Sequence, residues 1–578
     1  MAEPVQITFL GGLGDIGRNC AAIECQGEVL LLDCGVLFPD EDMPGADFVL
    51  PDLEYLRDRA DRIVGCICTH GHEDHIGALS HALEWLSFPI YASPFTLGLI
   101  RNRLEERGVV DQTTLIPIGD LDRVRVGSFD CEFIPVTHSV PSGLISAIRT
   151  PQGVILHSSD FKLDLNPVDG RRTDLARIGA IARHEGIRLL LCDSTNSEIP
   201  GSSRSESEVG EVLRGVFAAH PDRRLVVAAF ASHIHRVQQV ADAAVESGRK
   251  VATLGLSMKR NFALARDLGL LRLPDHAVID ISDAERYPPG QVCVVATGSQ
   301  GETRSALAMA ATGDSRWIDI GPDDTVVLSS TPIPGNEARV ARMINNLMDR
   351  GAEVVHSGQL EVHTTGHGKQ DELRTLHTVA DPEFFVPVHG ELRHLVAHAD
   401  LAMKMGMPTD RVVLARDGEQ IELSDGGLGN RGRVTSGDYY FVNGRLIEND
   451  RGLFSERSIL GGQGVVNIVV VVDRAEGRLL AQPRFESRGW VGAETLKELE
   501  SLGADEVAAV VEEYLASGGD DDLERLVRRA AGQFVNHWLL VLSMVRLLLL
   551  WLRKPLANPL PSPAPRPNPK PLLLLRVG

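Results

Sequence analysis

The chain has 578 residues, of which 43% are hydrophobic and 24% charged, a composition typical of a globular protein with several cores. Its formal net charge of −21 argues against a protein that coats nucleic acid by bulk attraction, although a local basic groove can coexist with an acidic exterior. No basic segment followed by an apolar run opens the sequence, so we expect no secretory signal. All eight cysteines lie at or before Cys293 without a Cys-x-x-Cys pair, which indicates reduced thiols and a cytoplasmic location.

Two rhythms of predicted elements follow one another along the chain. The first two hundred residues alternate turns with strand-like runs such as "EVLLLDCG", "RIVGCICTH" and "GVILHSSD", and a helical pattern, "GALSHALEWL", lies among them. From about residue 210 to 360, strands lead directly into helices, as "RLVVAAF" leads into "ASHIHRVQQVADAAVESG". The second rhythm predicts a parallel α/β domain.

Metal-ligating side chains crowd the end of one predicted strand, where residues 69–78 read "THGHEDHIGA". In this H-x-H-x-D-H spacing, His70 and His72 can face one ion, and Asp74 and His75 can face a second ion close by. Imidazole and carboxylate are the ligands that such divalent metals prefer. Further candidates end other predicted strands: His138, Asp160 and His389.

These motifs together resemble the metallo-β-lactamase fold. The segments "CDSTN", "FASHIHRVQQ", "ATGSQGE", "SSTPIPGNE", "HTTGHG" and "PVHGELRHL" resemble its β-CASP branch, and within that branch the ribonuclease J family. The openings "FLGGLGDIGRN" and "LLLDCGVLFPDEDMPG" agree with that family too. The resemblance extends from about residue 5 to about residue 535.

The resemblance implies an α/β protein: a metallo-β-lactamase αββα sandwich with an inserted β-CASP parallel α/β domain and a small C-terminal α/β domain. The expected boundaries are 1–208 for the first part of the metallo-β-lactamase domain, 209–360 for the β-CASP domain, 361–450 for the second part, 451–464 for a linker, 465–537 for the small domain and 538–578 for a tail.

The tail departs from the family pattern. Its apolar stretch, 538–552, is interrupted by Arg546 and is shorter than the roughly 20 residues that span a bilayer, so a membrane-spanning helix is not favoured and we expect no clear membrane association. A Pro-rich segment follows, and the strand that closes the small domain in the family is expected to be missing. An interaction segment, a membrane-surface segment and a terminus altered by a frameshift remain open interpretations.

The resemblance also implies a two-metal site. The implied ligands are His70, His72 and His138 for one ion, Asp74, His75 and His389 for the other, and Asp160 as the bridge. Zn²⁺ is expected from the number of imidazoles, and Mn²⁺ would accept the same ligands. Asp33 resembles the family carboxylate that supports the histidine loop, and its alternative is a plain turn aspartate.

Two such ions can generate hydroxide from water near neutral pH and clamp a phosphate oxygen. By resemblance, Asp193 orients His367, which we expect to protonate the departing 3′ oxygen; His363 is the alternative for either role. The implied activity is a metal-dependent hydrolysis of RNA, 5′-to-3′ and also internal, in RNA processing and decay.

An exonuclease that starts at a 5′ end needs a site for the terminal phosphate, and helix starts in α/β domains favour anions. The candidates are Ser232, His235, Arg236, Ser330, His363, Thr365 and Gly366. Arg236 suits phosphate geometry, whereas Ser232 has the alternative of a plain helix cap. Thr365 stands where the family pattern has serine.

The expected partner is single-stranded RNA with a 5′-monophosphate. A homodimer or homotetramer, and contacts with other RNA-decay proteins, are implied by the resemblance alone. A DNA-acting β-CASP nuclease remains open because no residue considered distinguishes ribose from deoxyribose. A non-catalytic scaffold would have lost metal ligands, and a lactonase or thioester hydrolase would lack the insert before His389.

Overall fold

The computed structural model describes residues 2–40, 42–302, 304–333, 335–435, 438–444, 446–473, 476, 478–490, 493–517, 523–538, 547–550 and 573–577. The chain divides into two compact units. Unit 1 is Met1–Asp40 with Ala46–Asn449, and unit 2 is Glu41–Gly45 with Asp450–Gly578.

Unit 1 contains most of the secondary structure. Its strands are β1 (Val5–Gly11), β2 (Leu13–Gly14), β3 (Cys20–Cys25), β4 (Glu28–Leu32), β5 (Phe48–Leu50), β6 (Ile63–Ile67), β7 (Ile90–Ala92), β8 (Leu115–Pro117), β9 (Arg123–Val126), β10 (Phe129–Pro135), β11 (Leu144–Thr150), β12 (Gly153–His157), β13 (Ile187–Asp193), β14 (Arg224–Ala228), β15 (Lys250–Leu254), β16 (Val292–Ala296), β17 (Asp324–Leu328), β18 (Glu353–His356), β19 (Phe384–Val388), β20 (Gly390–Glu391), β21 (Glu419–Ser424), β22 (Gly427–Arg433), β23 (Tyr440–Asn443) and β24 (Leu446–Glu448). Its α-helices are α1 (Glu54–Arg57), α2 (Glu73–Ile76), α3 (Leu79–Ala82), α4 (Pro94–Arg107), α5 (Leu175–His184), α6 (Glu206–Ala219), α7 (Ile234–Glu246), α8 (Leu256–Asp267), α9 (Ala306–Thr312), α10 (Glu337–Asp349), α11 (Gln370–Ala380) and α12 (Leu392–Lys404).

Two sheets form a sandwich in unit 1. Their strand orders are β22-β21-β1-β3-β4-β6-β7-β8 and β19-β13-β12-β11-β10-β9. A shared apolar core joins them, with Ile7 and Ile23 from the first sheet and Phe133, Ile155 and Val386 from the second.

Helices cover the outer faces of both sheets. Leu31 of β4 shares an apolar cluster with Phe95 of α4. On the other sheet, Leu190 shares a cluster with Ile178 of α5 and Leu373 of α11. The predicted αββα sandwich is therefore confirmed.

A third sheet lies within the β-CASP segment. Its order is β15-β16-β14-β17-β18, and all of its neighbouring strands run parallel. β16 and β17 are buried along their whole length, as expected where helices cover both faces of a parallel sheet. The prediction of a parallel α/β insert is confirmed.

Unit 2 has a different sheet. Its elements are α13 (Gly452–Gln463), β25 (Val465–Asp473), β26 (Arg478–Arg488), α14 (Ala493–Ala516), α15 (Leu523–Trp538), β27 (Leu547–Leu550) and β28 (Leu573–Val577). The strand order is β26-β25-β28-β27, and β25 alternates buried and half-buried residues, so one face is covered. In the part of the chain that the structure describes, no helix is long and apolar enough to cross a membrane.

Two features of this region differ from the expectations. The segment 451–464, expected as a linker, contains helix α13. The closing strand, expected to be missing, is β28, which pairs antiparallel with Val469–Val472 of β25. A Leu-rich run satisfies the backbone of a neighbouring apolar strand whatever its exact sequence, because the ladder is made by main-chain groups. The rest of the predicted tail, 539–546, 551–572 and 578, lies outside the described residues.

The topology of unit 1 brings strand ends together. β4 runs parallel to β6, and β12, β13 and β19 run parallel to one another. The carboxyl ends of these strands carry Asp33 (after β4), residues 68–75 (after β6), Asp160 (after β12), Asp193 (end of β13) and His389 (after β19).

Candidate metal centre

The predicted ligands converge in one buried cluster. Among the described residues, three groups have donor atoms within 4.8 Å of one another: His70, His72, His138 and Asp160; Asp74, His75, Asp160 and His389; and Asp160, Asp193, His367 and His389. Asp160 belongs to all three groups. Nε2 of His389 lies 3.3 Å from Oδ2 of Asp74, although 315 positions separate the two residues.

Close backbone packing sets the shape of the histidine loop. Gly35 lies against the backbone of Asp74, and a Cβ on Gly35 would stand 1.7 Å from the Asp74 carbonyl oxygen. The backbone N–H of Asn19 donates to that same oxygen at 3.0 Å. Gly35 in "LLLDCG" is therefore required by close approach rather than by a turn.

Three residues of the site have a left-handed backbone although they are not glycine. Asp33 has φ 59°, Ser159 before Asp160 has φ 56°, and His389 has φ 54°. Such conformations cost free energy and persist where the surrounding structure enforces them. Here they turn the side chains at the ends of β4, β12 and β19 toward a common centre.

Two of the predicted ligands have identifiable supports. Oδ2 of Asp33 lies 2.8 Å from Nδ1 of His75, and Oδ1 accepts the backbone N–H of Thr69 at 2.8 Å. Nδ1 of His138 lies 2.8 Å from the carbonyl oxygen of Gly366. A Cβ on Gly366 would stand 2.7 Å from the His138 ring, so that position also requires glycine.

Burial and charge divide the imidazoles into two kinds. Burial lowers the pKa of His70 and His138, and lowers the pKa of His72 to about 4, so these rings are neutral with available lone pairs. Burial also acts to lower the pKa of His75 and His389, but carboxylates led by Asp160 raise both. Protons on the second pair would compete with a metal ion for the same ring nitrogens.

This donor set fits divalent ions. Nδ1 of His72 lies 3.0 Å from Nε2 of His70 and 3.2 Å from Nε2 of His138, so three ring nitrogens face one another. In the described ranges, Asp74 and Asp160 have only imidazoles as ion-pair partners. Converging buried acceptors without a lysine or arginine are what a metal ion satisfies.

The predicted acid pair lies beside the ligands. Nδ1 of His367 is 2.8 Å from Oδ2 of Asp193, and the His367 ring is 5.1 Å from that of His138. Burial acts to lower the pKa of His367, but the charge and hydrogen bond of Asp193 raise it to about 9. His363, the alternative, is absent from all three donor groups of the described chain.

Arg236 is held inside the protein, which argues against the predicted phosphate contact. Its side chain is fully buried, and Nε and Nη2 donate to the carboxylate of Glu206 at 2.6 and 2.9 Å. Nη1 donates to the carbonyl oxygens of Ser329 and Val362 at 3.0 and 2.8 Å. Internal partners engage every nitrogen of this fully buried guanidinium.

The other phosphate candidates are in different environments. Nε2 of His235 lies 3.1 Å from Asp169, and the hydroxyl of Thr365 accepts from Asn196 at 2.9 Å. Ser232 lies just before α7. Nδ1 of His363 is buried without a partner, and burial with Arg236 lowers its pKa to about 3. The hydroxyl of Ser330 accepts only a long bond, 3.4 Å, from Gln300.

The sequence reasoning missed two residues of the site. Nδ2 of Asn19 donates to the Asp74 carbonyl at 3.0 Å and lies 3.2 Å from Nε2 of His75. The hydroxyl of Thr195 lies 2.7 Å from Nδ1 of His389. Both stand inside segments that carry the family resemblance, "GDIGRN" and "CDSTN", but neither residue type signals metal chemistry by itself.

Fold and site together define a metallo-hydrolase with a β-CASP insert. Family models agree: the metallo-beta-lactamase superfamily matches residues 13–184, the ribonuclease J beta-CASP domain 222–347, the Zn-dependent metallo-hydrolase RNA specificity domain 359–413, and the ribonuclease J C-terminal domain 452–539. A solved structure of a protein of unknown function from Enterococcus faecalis V583 is similar with a TM-score of 0.54 at 16% identity, over 73% of this chain and 100% of that one, which shows the fold alone.

The curated relatives are more specific. The chain is 41% identical to ribonuclease J of Mycolicibacterium smegmatis, over 92% of this chain and 95% of the relative. It is 42% identical to ribonuclease J of Mycobacterium tuberculosis, with the same coverage, and 38% identical to ribonuclease J of Corynebacterium glutamicum over 96% of this chain and 76% of the relative. The chain belongs to the ribonuclease J family.

Proposed function

We propose that this metal-dependent ribonuclease degrades RNA from the 5′ end in the 5′-to-3′ direction and also cuts internally. The observation that carries the proposal is the convergence of two overlapping ligand groups with the His367–Asp193 pair, in a chain of the ribonuclease J family. Its proposed role is in RNA processing and decay.

The proposed ligands are those of the two overlapping groups. His70, His72 and His138 would hold one ion, Asp74, His75 and His389 the other, and Asp160 would contact both. Zn²⁺ fits the imidazole-rich set, and Mn²⁺ accepts the same donors. When bound, such ions activate water and polarise a phosphate oxygen. The carboxylate of Asp33 lies 2.8 Å from Nδ1 of His75 and would fix the direction of that imidazole.

His367 is the proposed proton donor. Because Asp193 engages Nδ1 at 2.8 Å, Nε2 is the nitrogen free to give a proton to the departing 3′ oxygen. The ring is half-buried beside the ligands, within 5.4 Å of the His389 ring, which keeps the proton close to the reacting phosphate.

The proposed substrate is single-stranded RNA with a 5′-monophosphate. Ser330 and His363 keep polar atoms that protein partners satisfy weakly or not at all, and they remain candidates for the phosphate together with Ser232. The eight buried free cysteines suit a reducing compartment, which supports a cytoplasmic location. A homodimer or homotetramer, and association with other RNA-decay proteins, rest on family membership alone.

Three versions of one RNA, which differ only in the group at the 5′ end, test the proposal. Each RNA is labelled at its 3′ end and carries a 5′-monophosphate, a 5′-triphosphate or a 5′-hydroxyl. It is incubated with the parent chain or with the His75→Ala variant in the presence of Mn²⁺ or Zn²⁺. A DNA of the same sequence is treated in parallel. We expect stepwise shortening from the monophosphate end that the variant loses. Discrete internal cuts that ignore the 5′ end would make the chain an endonuclease only.

The same assay separates the remaining alternatives. Cleavage of the DNA twin but not of the RNA would make the chain a DNA-acting nuclease. No cleavage of either polymer by folded, metal-loaded protein would contradict the proposal and leave a non-catalytic scaffold.

A further inference from the structure

The segment Asp193–Asn196 lies between the two parts of the proposed catalytic machinery. It begins with the last residue of β13, and its side chains reach different neighbours. Asp193 contacts His367, Thr195 contacts His389, and Nδ2 of Asn196 donates to the carbonyl oxygen of His367 at 3.0 Å. One turn thus touches both a proposed metal ligand and the proposed proton donor.

The hydroxyl of Thr195 lies between His389 and Asp193. Oγ1 lies 2.7 Å from Nδ1 of His389 and 2.8 Å from Oδ1 of Asp193. Nε2 of His389 faces Asp74 and Asp160, at 3.3 and 3.6 Å, so a metal-binding His389 carries its proton on Nδ1. That N–H donates to Thr195, and the hydroxyl proton of Thr195 then goes to Asp193, since a hydroxyl has one proton to give.

We propose that Thr195 is a positioning residue, whose hydroxyl fixes the direction and tautomer of the His389 imidazole and connects it to the carboxylate that orients His367. The proposal rests on the proposed function for the roles of His389 and His367. The backbone N–H of Thr195 also donates to Oδ1 of Asp193, at 2.9 Å, which holds the hydroxyl in place between the two groups.

The hydroxyl has no ready substitute. Oδ1 of Asp193 lies 3.6 Å from Nδ1 of His389, too far to replace the hydroxyl as a hydrogen-bond acceptor. The imidazole would have to turn to reach that oxygen, and Nε2 would move away from Asp74 and Asp160. Groups that support metal-bound histidines in this way typically contribute about 10- to 100-fold in metal affinity.

Metal binding without RNA is the direct test. Zn²⁺ is titrated against a chromophoric chelator with the parent chain and with Thr195→Val, Thr195→Ser and Thr325→Val. Thr325 is fully buried and its hydroxyl has no partner, so Thr325→Val controls for the loss of a buried hydroxyl. We expect Thr195→Val to lower the affinity for one of the two ions about 10- to 100-fold. Thr195→Ser should restore that affinity, and the Thr325→Val control should match the parent.

A second comparison tests the connection to His367. Asn196 touches the loop of His367 but not His389, so Asn196→Ala should lower kcat for RNA cleavage and leave both metal affinities unchanged. Thr195→Val should lower kcat and also the affinity for one of the two ions. If Thr195→Val fails to fold by circular dichroism, Thr195→Ala replaces it in the same titration.

The outcomes are decisive and separable. Parent-like affinity for both ions in folded Thr195→Val or Thr195→Ala would overturn the positioning role. A Thr195→Ser variant that binds metal as weakly as Thr195→Val would overturn it too. If the parent chain binds two ions but cleaves no RNA, the ribonuclease proposal fails while the effect of Thr195 on metal binding can still be measured.

Discussion

Two buried polar clusters in unit 1 have opposite designs. Around Asp160, imidazoles and carboxylates face one another, and the described chain supplies no lysine or arginine to that carboxylate. Around Arg236, a buried guanidinium donates to Glu206, Ser329 and Val362, so its charge and its N–H groups are matched by the protein.

The comparison shows that burial and charge alone do not mark a binding site. What separates the clusters is whether the protein completes the pairing itself. The Asp160 cluster leaves its cation to be taken from solution, whereas the Arg236 cluster supplies its own cation. Removing one member should therefore cost activity in the first cluster and stability in the second.

The largest effect is expected at Asp160, which all three donor groups share. Asp160→Asn keeps the shape but removes the charge, and we expect bound metal to fall and RNA cleavage to drop on the order of 10⁴-fold, because metal ions supply several kcal/mol of transition-state stabilisation. Elemental analysis and single-turnover cleavage measure both. Asp381→Asn, at an exposed left-handed position, is the control. Full metal content in Asp160→Asn would contradict the view that the Asp160 cluster depends on a cation from solution.

A smaller loss of rate is expected at His367, which contacts the cluster without being assigned to either ion. His367→Gln should keep both ions and lower kcat about 10³-fold, the range of general acid catalysis. The exposed His276→Gln serves as control. A loss of metal together with activity would show that His367 acts as a ligand, and the proton-donor role would then be withdrawn.

The Arg236 cluster should respond in stability instead. Arg236→Met leaves the carboxylate of Glu206 buried and unpaired, and we expect a loss of about 3–5 kcal/mol in the free energy of unfolding, measured in urea. Arg123→Met, which breaks the exposed pair with Asp130, should cost at most about 1 kcal/mol. A raised KM for 5′-monophosphate RNA with unchanged stability would restore the phosphate-binding prediction for Arg236.

The sequence by itself predicted the fold class and the side chains that the structure brings together in the candidate metal centre. Histidines and aspartates at the ends of predicted strands, in "THGHEDHIGA", "PVTHS", "LHSSD" and "PVHGE", were recognisable by their residue types and by their resemblance to one family. Strand and helix rhythm likewise predicted the parallel insert that the structure contains.

Only the tertiary structure decided which polar groups remain free. Arg236 follows a strand as the ligands do, but Glu206, thirty positions earlier in the chain, folds against it and takes its charge. Asp193 pairs with His367 across 174 positions rather than with His363, and Thr195 meets His389 across 194. A sequence gives the donors and acceptors of each residue, whereas their availability depends on partners that only folding brings within about 3 Å.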